Sequence, residues 1–232
     1  MQRGVEHPGD IAEAASLSSI QLPPNDYPLH ETISDSIIAS GKLSKLQLEG
    51  VAYACQAHLT KLPGGDRSGF MIGDGAGVGK GRQIAGIVVD NFARGRKRHI
   101  WISSSHDLRR DAERDLRDLG CYVKVIDGVK ELDKETKALG LSKTCAEGVL
   151  FLTYSTLVSK GGGEGKKNSV TTGKSKSRLE QAIEWFVGDT ETPLNQKEQT
   201  ADGCLIFDEC HKAKVRRRVS QIPPPRLPIV RP

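Results

Sequence analysis

Short apolar runs alternate with amphipathic stretches through most of the chain, and this rhythm predicts its elements. Between Leu43 and Leu59, the residues Leu48, Val51, Ala52 and Cys55 recur at steps of three and four, which predicts a helix with one buried stripe. From Gly69 onward, strand-like runs fall at Gly69–Ile72, His99–Ser103, Tyr122–Ile126, Val149–Thr153 and Cys204–Phe207. Helical patterning separates them over Lys80–Phe92 and Ser105–Leu119, and returns over Ser177–Val187. In the second of these helices Leu108, Ala112, Leu116 and Leu119 share one face. Arginines alternate with acids over the other, Asp111 and Asp115 among them, as on a solvated helix surface. Strands spaced by helices of this length predict a mainly parallel sheet wrapped by helices.

The pattern stops at both ends. Residues 1–40 carry Pro23, Pro24 and Pro28 among polar positions without sustained periodicity, which predicts a mostly irregular arm. Residues 41–214 make up the predicted domain, interrupted over 160–176 by a Gly-, Lys- and Ser-rich insertion expected to be flexible. Residues 215–232, rich in arginine and proline, are expected to be a disordered tail. A chain of 232 residues holds one domain with a sizeable core and such arms, but not two full domains.

Composition removes several alternatives. No run approaches the roughly 18 apolar residues of a membrane span, and Met1–Ser19 lacks the apolar segment of a signal peptide. The five cysteines, Cys55, Cys121, Cys145, Cys204 and Cys210, never form a C-x-x-C pair, which argues against a disulfide framework or zinc site and for a reducing, intracellular setting. The net charge of +5 is matched by the five arginines after Val215, so residues 1–214 are neutral overall and the basicity carries no nucleic-acid signal. Arg94, Arg96, Lys97 and Arg98 form a local basic cluster, read as a solvated turn between helix and strand.

Chemistry concentrates at two places. Phe70–Ile72 leads through Gly73-Asp74-Gly75-Ala76-Gly77-Val78-Gly79-Lys80-Gly81 into a helix, the context of a phosphate-binding loop. Gly75, Gly77 and Gly79 let the backbone N–H groups turn toward phosphate oxygens, the helix N-terminus adds its dipole, and Lys80 reaches the β and γ phosphates. The loop departs from G-x-x-x-x-G-K-[ST] at Asp74 and at Gly81, which lacks the hydroxyl that ligates Mg2+. The glycines fall at every second position, which gives a dinucleotide fingerprint no frame. The second place is Cys204–Phe207 followed by Asp208-Glu209-Cys210-His211. There Asp208 is placed to hold Mg2+, Glu209 to polarise the attacking water, and His211 to couple the site to later motifs.

Three weaker features accompany these. Gln47 lies about 30 residues before the loop, where helicase-type ATPases place a glutamine that reads adenine, with Tyr27 or His30 as candidates to cover the base. Ser103-Ser104-Ser105 and Thr153-Tyr154-Ser155 end strands in hydroxyls, suited either to nucleic-acid phosphates or to capping the next helix. Gly173-Lys174-Ser175 imitates the end of a phosphate loop but follows no strand.

The stretches FMIGDGAGVGKGRQIA (Phe70–Ala85), Arg96–Ile102, DAERDLRDLG (Asp111–Gly120) and FDECHKAK (Phe207–Lys214) closely resemble the strawberry notch family of superfamily 2 helicase-like ATPases, whose loop also ends in Gly-Lys-Gly. The resemblance spans Asp26 to Lys214. It implies an α/β, three-layer P-loop NTPase (RecA-like) domain with disordered arms, ATP and Mg2+ as cofactors, a nuclear location, and transcription or chromatin factors as partners, with nucleic acid a further candidate. Family members continue into a second RecA-like domain carrying the arginines that complete the ATP site. Here the sequence after Lys214 departs from the family, so the expectation is a truncated isoform or gene-model fragment that binds ATP without hydrolysing it alone. The alternatives are a non-catalytic interaction module and a fragment without function.

Overall fold

The computed structural model describes residues 4–11, 20–134, 145–158, 177–187 and 201–213. The predicted insertion over 160–176, with the Gly173-Lys174-Ser175 imitation, and the predicted tail over 215–232 lie outside the described residues. In chain order come α1 (Asp35–Ala39), α2 (Lys45–Ala57), α3 (Lys80–Ala93), β1 (Arg98–Ser103), α4 (Leu108–Asp118), β2 (Val125–Asp127), α5 (Gly128–Lys134), β3 (Gly148–Thr153), α6 (Tyr154–Val158), α7 (Arg178–Val187) and β4 (Leu205–Phe207). Short 3-10 turns stand at Leu29–Glu31 and Cys210–Lys212.

The four strands form one sheet in the order β2-β3-β1-β4, every pair parallel. Alternation along β1 and β3 divides two cores. Trp101, Val149 and Phe151 meet α2, α3 and α4 on one face, while Ile100, Leu150 and Leu152 meet Leu132, Ala182 and Trp185 on the other. The result is three layers, α/β/α, as expected of central strands buried on both faces. Among the described residues no helix is long and apolar enough to cross a membrane.

The predicted helices are present, with ends shifted by a few residues. Leu48, Val51, Ala52 and Cys55 of α2 are buried as the stripe requires. Ser44 and Gln47 form a reciprocal capping box at the start of α2, which fixes its first turn. Two strand expectations change. Tyr122 is exposed, and β2 begins only at Val125. Gly69–Ile72 joins no strand, because a cavity of about 520 Å³ separates it from β4 and leaves it no neighbour for a ladder. Leu205 and Phe207 on β4, and Met71 across the cavity, are correspondingly exposed.

The irregular arm is anchored. Tyr27, Leu29 and Ile33 are buried against α2 and α3. Asp90, buried near the end of α3, accepts hydrogen bonds from Tyr27 Oη (2.6 Å) and Thr32 Oγ1 (2.5 Å). Arg94 adds an ion pair to Asp90 at 3.2 Å and lies 5.0 Å over the Tyr27 ring.

His99 ties β1 to the chain entering β4. Its Nδ1 accepts from the Cys204 N–H at 3.1 Å and its Nε2–H donates to the Arg96 carbonyl at 2.9 Å, so the ring is neutral. Burial, with Arg96 and Lys97 nearby, pushes this imidazole from 6.5 down to about 4. The unfolded chain takes up a proton below about pH 6.5 and the folded chain only near pH 4. The stability difference is therefore complete above pH 6.5 and is lost as pH falls toward 4, on the order of 3 kcal/mol in all. Urea unfolding at intervals over this window should show that loss, and His99→Gln should remove its share of the slope. An identical slope in the variant would refute the assignment.

Candidate functional site

The phosphate loop folds as its glycines require at two positions. Gly77 (φ 90°) and Gly79 (φ 81°) both adopt left-handed backbone, and Gly79 is the N-cap of α3. Gly79 has a second reason, since a Cβ there would stand 2.5 Å from Gln47 Nε2. Asp74, one of the two departures from the common pattern, is not among the positive-φ positions, so a side chain costs nothing there. Its carboxylate accepts from Gln83 Nε2 on α3, and its carbonyl accepts from Lys80 Nζ at 3.0 Å. Lys80 also donates to the Gly75 carbonyl at 3.0 Å, which curls its ammonium back over the loop.

Gln47 meets the loop with both ends of its amide engaged. Oε1 accepts from the Ser44 N–H at 3.0 Å and Nε2 donates to the Val78 carbonyl at 2.8 Å. It braces the loop, and its amide keeps a second N–H and a second carbonyl lone pair beyond these bonds. Of the two aromatic candidates for the base, Tyr27 is committed to Asp90 near the far end of α3 and His30 is exposed. A second upstream side chain reaches the loop beside Gln47: His7 Nε2 lies 3.3 Å from the same Val78 carbonyl. Gln83 was also missed: it is buried, and Gly50 on α2 leaves room for it, since a Cβ at Gly50 would meet Gln83 Oε1 at 2.3 Å. Both contacts link segments distant in sequence and leave no local signal.

At the end of β4, Asp208 is held from three sides. Its N–H donates to the Ile102 carbonyl (2.8 Å), its carbonyl accepts from Tyr154 Oη (2.8 Å), and its Oδ2 accepts from Ser103 Oγ (2.8 Å). Burial, reinforced by Cys210, Asp208 and Glu209, raises the Tyr154 phenol and keeps it a donor. Ser103 thus serves the acidic motif, and Thr153 accepts from the Thr156 N–H as a local cap. Among the described residues no side chain occupies Asp208 Oδ1. Glu209 takes left-handed backbone (φ 52°), unusual for a residue with a side chain, and its Oε2 lies 3.2 Å from His211 Nδ1. Glu209 and His211 are therefore together and exposed, beside Asp208.

Lys80, Asp74, Asp208, Glu209 and His211 all line the cavity between the loop and β4. The donor set suits Mg2+: a carboxylate with one unengaged oxygen, next to a hydroxyl, and hard oxygen throughout. No group of three or more His, Cys, Asp or Glu that could hold a metal occurs among the described residues.

The basic cluster is engaged internally, which refines its reading as a solvated turn. Arg94 serves Asp90, Arg96 donates to Asn91, Lys97 donates to the Phe92 carbonyl, and Arg98 donates to the carbonyls of Ala146 and Trp185. Asp115 corrects the expectation for α4 directly: it is buried, because α3 packs over it at Gly81 and Arg82.

Comparison with known proteins places this site in a family. A model described as P-loop containing NTP hydrolase pore-1 matches residues 6–222. Protein strawberry notch homolog 1 of Gallus gallus is 44% identical over 91% of this chain, and Protein strawberry notch of Drosophila melanogaster 44% over 92%. Protein FORGETTER 1 of Arabidopsis thaliana is 42% identical over 91%. The chain spans 15%, 12% and 14% of these relatives respectively. No solved structure matches it. With the loop, the acidic motif and the parallel sheet in place, the chain belongs to the strawberry notch family of P-loop NTPases.

Proposed function

We propose that this chain binds ATP with Mg2+ between the phosphate loop and the acidic motif, as one half of a helicase-like ATPase site. The observation that carries the reading is a single cavity lined by Lys80 and Asp208 together, at the head of α3 and the end of β4. Lys80, whose ammonium donates to the Asp74 and Gly75 carbonyls, would turn to the phosphate oxygens of a bound nucleotide, and the loop N–H groups with the α3 dipole would supply further positive potential. Asp208, oriented by Ser103 and Tyr154, would hold Mg2+, which would supply charge neutralisation at the phosphates. Glu209 polarises water, with His211 fixing its carboxylate.

Hydrolysis in this class draws on an arginine that stabilises transition-state charge, on the order of 10³ to 10⁵ in rate. A second RecA-like domain supplies it in this reading, and residues 41–214 supply the nucleotide-binding half of the site. The family resemblance supports a nuclear role in transcription, with transcription or chromatin factors as partners. A second reading, an interaction module, is favoured by the apolar exposure of Met71, Leu205 and Phe207 along the open side of β4.

Lys80→Ala separates the two. Loss of its charged contacts should raise the Kd for a fluorescent ATP analogue about 10- to 100-fold, with the melting temperature unchanged. An unchanged Kd would refute the nucleotide site. Retained partner binding in that variant would favour the interaction module.

A further inference from the structure

Two donors converge on one atom of the phosphate loop. Gln47 Nε2 donates to the Val78 carbonyl at 2.8 Å and His7 Nε2 lies 3.3 Å from the same oxygen, so both of its lone pairs are met. His7 Nδ1 accepts from the Gly9 N–H at 3.1 Å, which places the ring proton on Nε2 as a donor. The Gly9 carbonyl, 3.3 Å from Nδ1, suits only a protonated ring, and that form donates from Nε2 as well.

His7 is brought there by a docked segment. The Lys45 N–H, one of the free donors at the start of α2, donates to the Val5 carbonyl at 2.8 Å, and Val5 bridges Ser44 in parallel register. Gly4 (φ 119°) packs so closely on α2 that a Cβ there would lie 2.9 Å from Leu48 Cδ1. Glu6 pairs with Lys45 at 3.4 Å, near the positive end of the helix. Residues 4–9 are thus fastened to α2 at one end and to the phosphate loop at the other.

The effect falls on the peptide that follows Val78. Carbonyl and N–H of a trans peptide point in opposite directions. With the Val78 oxygen held by Gln47 and His7, the Gly79 N–H is turned away from both, and among the described residues no hydrogen bond leaves it. Gly79 directly precedes Lys80 and is the N-cap of α3, so this N–H belongs to the set that a helix start offers to an anion.

We propose that His7 is a positioning residue for the nucleotide: with Gln47 it fixes the Val78–Gly79 peptide so that the Gly79 N–H is presented to a phosphate oxygen. Residues 4–9 are then a strap, and its docking and nucleotide binding strengthen each other. The inference rests on the nucleotide reading above.

The test titrates the whole chain with methylanthraniloyl-ATP and Mg2+, and follows the imidazole N–H signals by NMR. His7→Phe keeps a ring without a donor, while His7→Gln puts an amide N–H where Nε2 stands. His7→Phe and His7→Ala should raise the Kd about 3- to 10-fold, the loss of one hydrogen bond, at an unchanged melting temperature. His7→Gln should recover most of that affinity. In the wild-type chain the His7 signal, assigned by its disappearance in His7→Gln, should shift as the probe binds. Should His7→Phe bind as tightly as wild type, or His7→Gln as weakly as His7→Phe, the donor plays no part and the proposal falls while the nucleotide reading stands. A His7 signal unmoved at saturation overturns it too. If the wild-type chain and Lys80→Ala bind the probe equally poorly, the nucleotide reading fails first and this one with it.

Discussion

Asp90→Ala should lower the stability of the domain by about 3 to 5 kcal/mol, because it removes the acceptor on which three side chains converge. Tyr27 and Thr32 each lose a hydrogen bond, and Arg94 loses its fully buried partner. Arg94 keeps secondary contacts to Glu31 and to the Pro28 carbonyl, so its charge is not stranded, which sets the upper limit. For a chain of this size each kcal/mol is worth about 2 to 4 °C, so the melting temperature should fall by about 10 °C. Asp90→Asn retains an acceptor for one hydroxyl and should cost about half as much. The change is local in origin. Residues 20–33 should become protease-sensitive in Asp90→Ala before the sheet does, since the Tyr27 and Thr32 bonds to Asp90 are among the contacts that hold this segment against α2 and α3. A melting temperature within about 2 °C of wild type would show that the arm contributes nothing to the core.

This knot also marks where sequence reading reaches its limit. Helices α2 and α3 were legible because their buried stripes repeat within a few residues, and β1 and β3 because strands buried on both faces carry short continuous apolar runs, Ile100–Ile102 and Val149–Leu152. Lys80 and Asp208 were legible for a related reason: each belongs to a motif whose strand-like run and turn are contiguous. What was not legible depends on partners far along the chain. Tyr27 and Asp90 are 63 residues apart, and His7 and Val78 are 71 apart. Asp115 sits on the polar side of α4 by periodicity, and only the absence of a Cβ at Gly81 lets α3 cover it. Gly69–Ile72 has the composition of a strand, but a strand is a relation between neighbours, and the cavity beside β4 leaves it none. Ser44-x-x-Gln47 is the exception that could have been read, since a capping box is written in four consecutive residues and predicts that the glutamine amide is already engaged.

Gly203→Ala should be more disruptive still, costing more than about 3 kcal/mol and disabling the site at the same time. A Cβ at Gly203 would fall 1.6 Å from the Arg98 carbonyl oxygen and 2.9 Å from its carbon, and backbone cannot rotate aside as a side chain can. The chain must then lift away from β1 just before β4. That breaks the Cys204 contacts to Ile100 and His99, at 2.9 and 3.1 Å, and strains a ladder of only three residue pairs, Ile100–Leu205 to Ile102–Phe207. Asp208 follows, because its N–H bond to Ile102 and its Ser103 contact both depend on that register. Folding and magnesium-dependent nucleotide binding should therefore fail together. Gly69→Ala is the control: its Cβ meets nothing within 4 Å and its φ is not positive, so the added side chain only restricts the unfolded chain. That variant should be neutral or more stable by up to about 1 kcal/mol. Equal melting temperatures for the two variants would mean that β4 does not approach β1 as described, and the placement of Asp208 would fall with it.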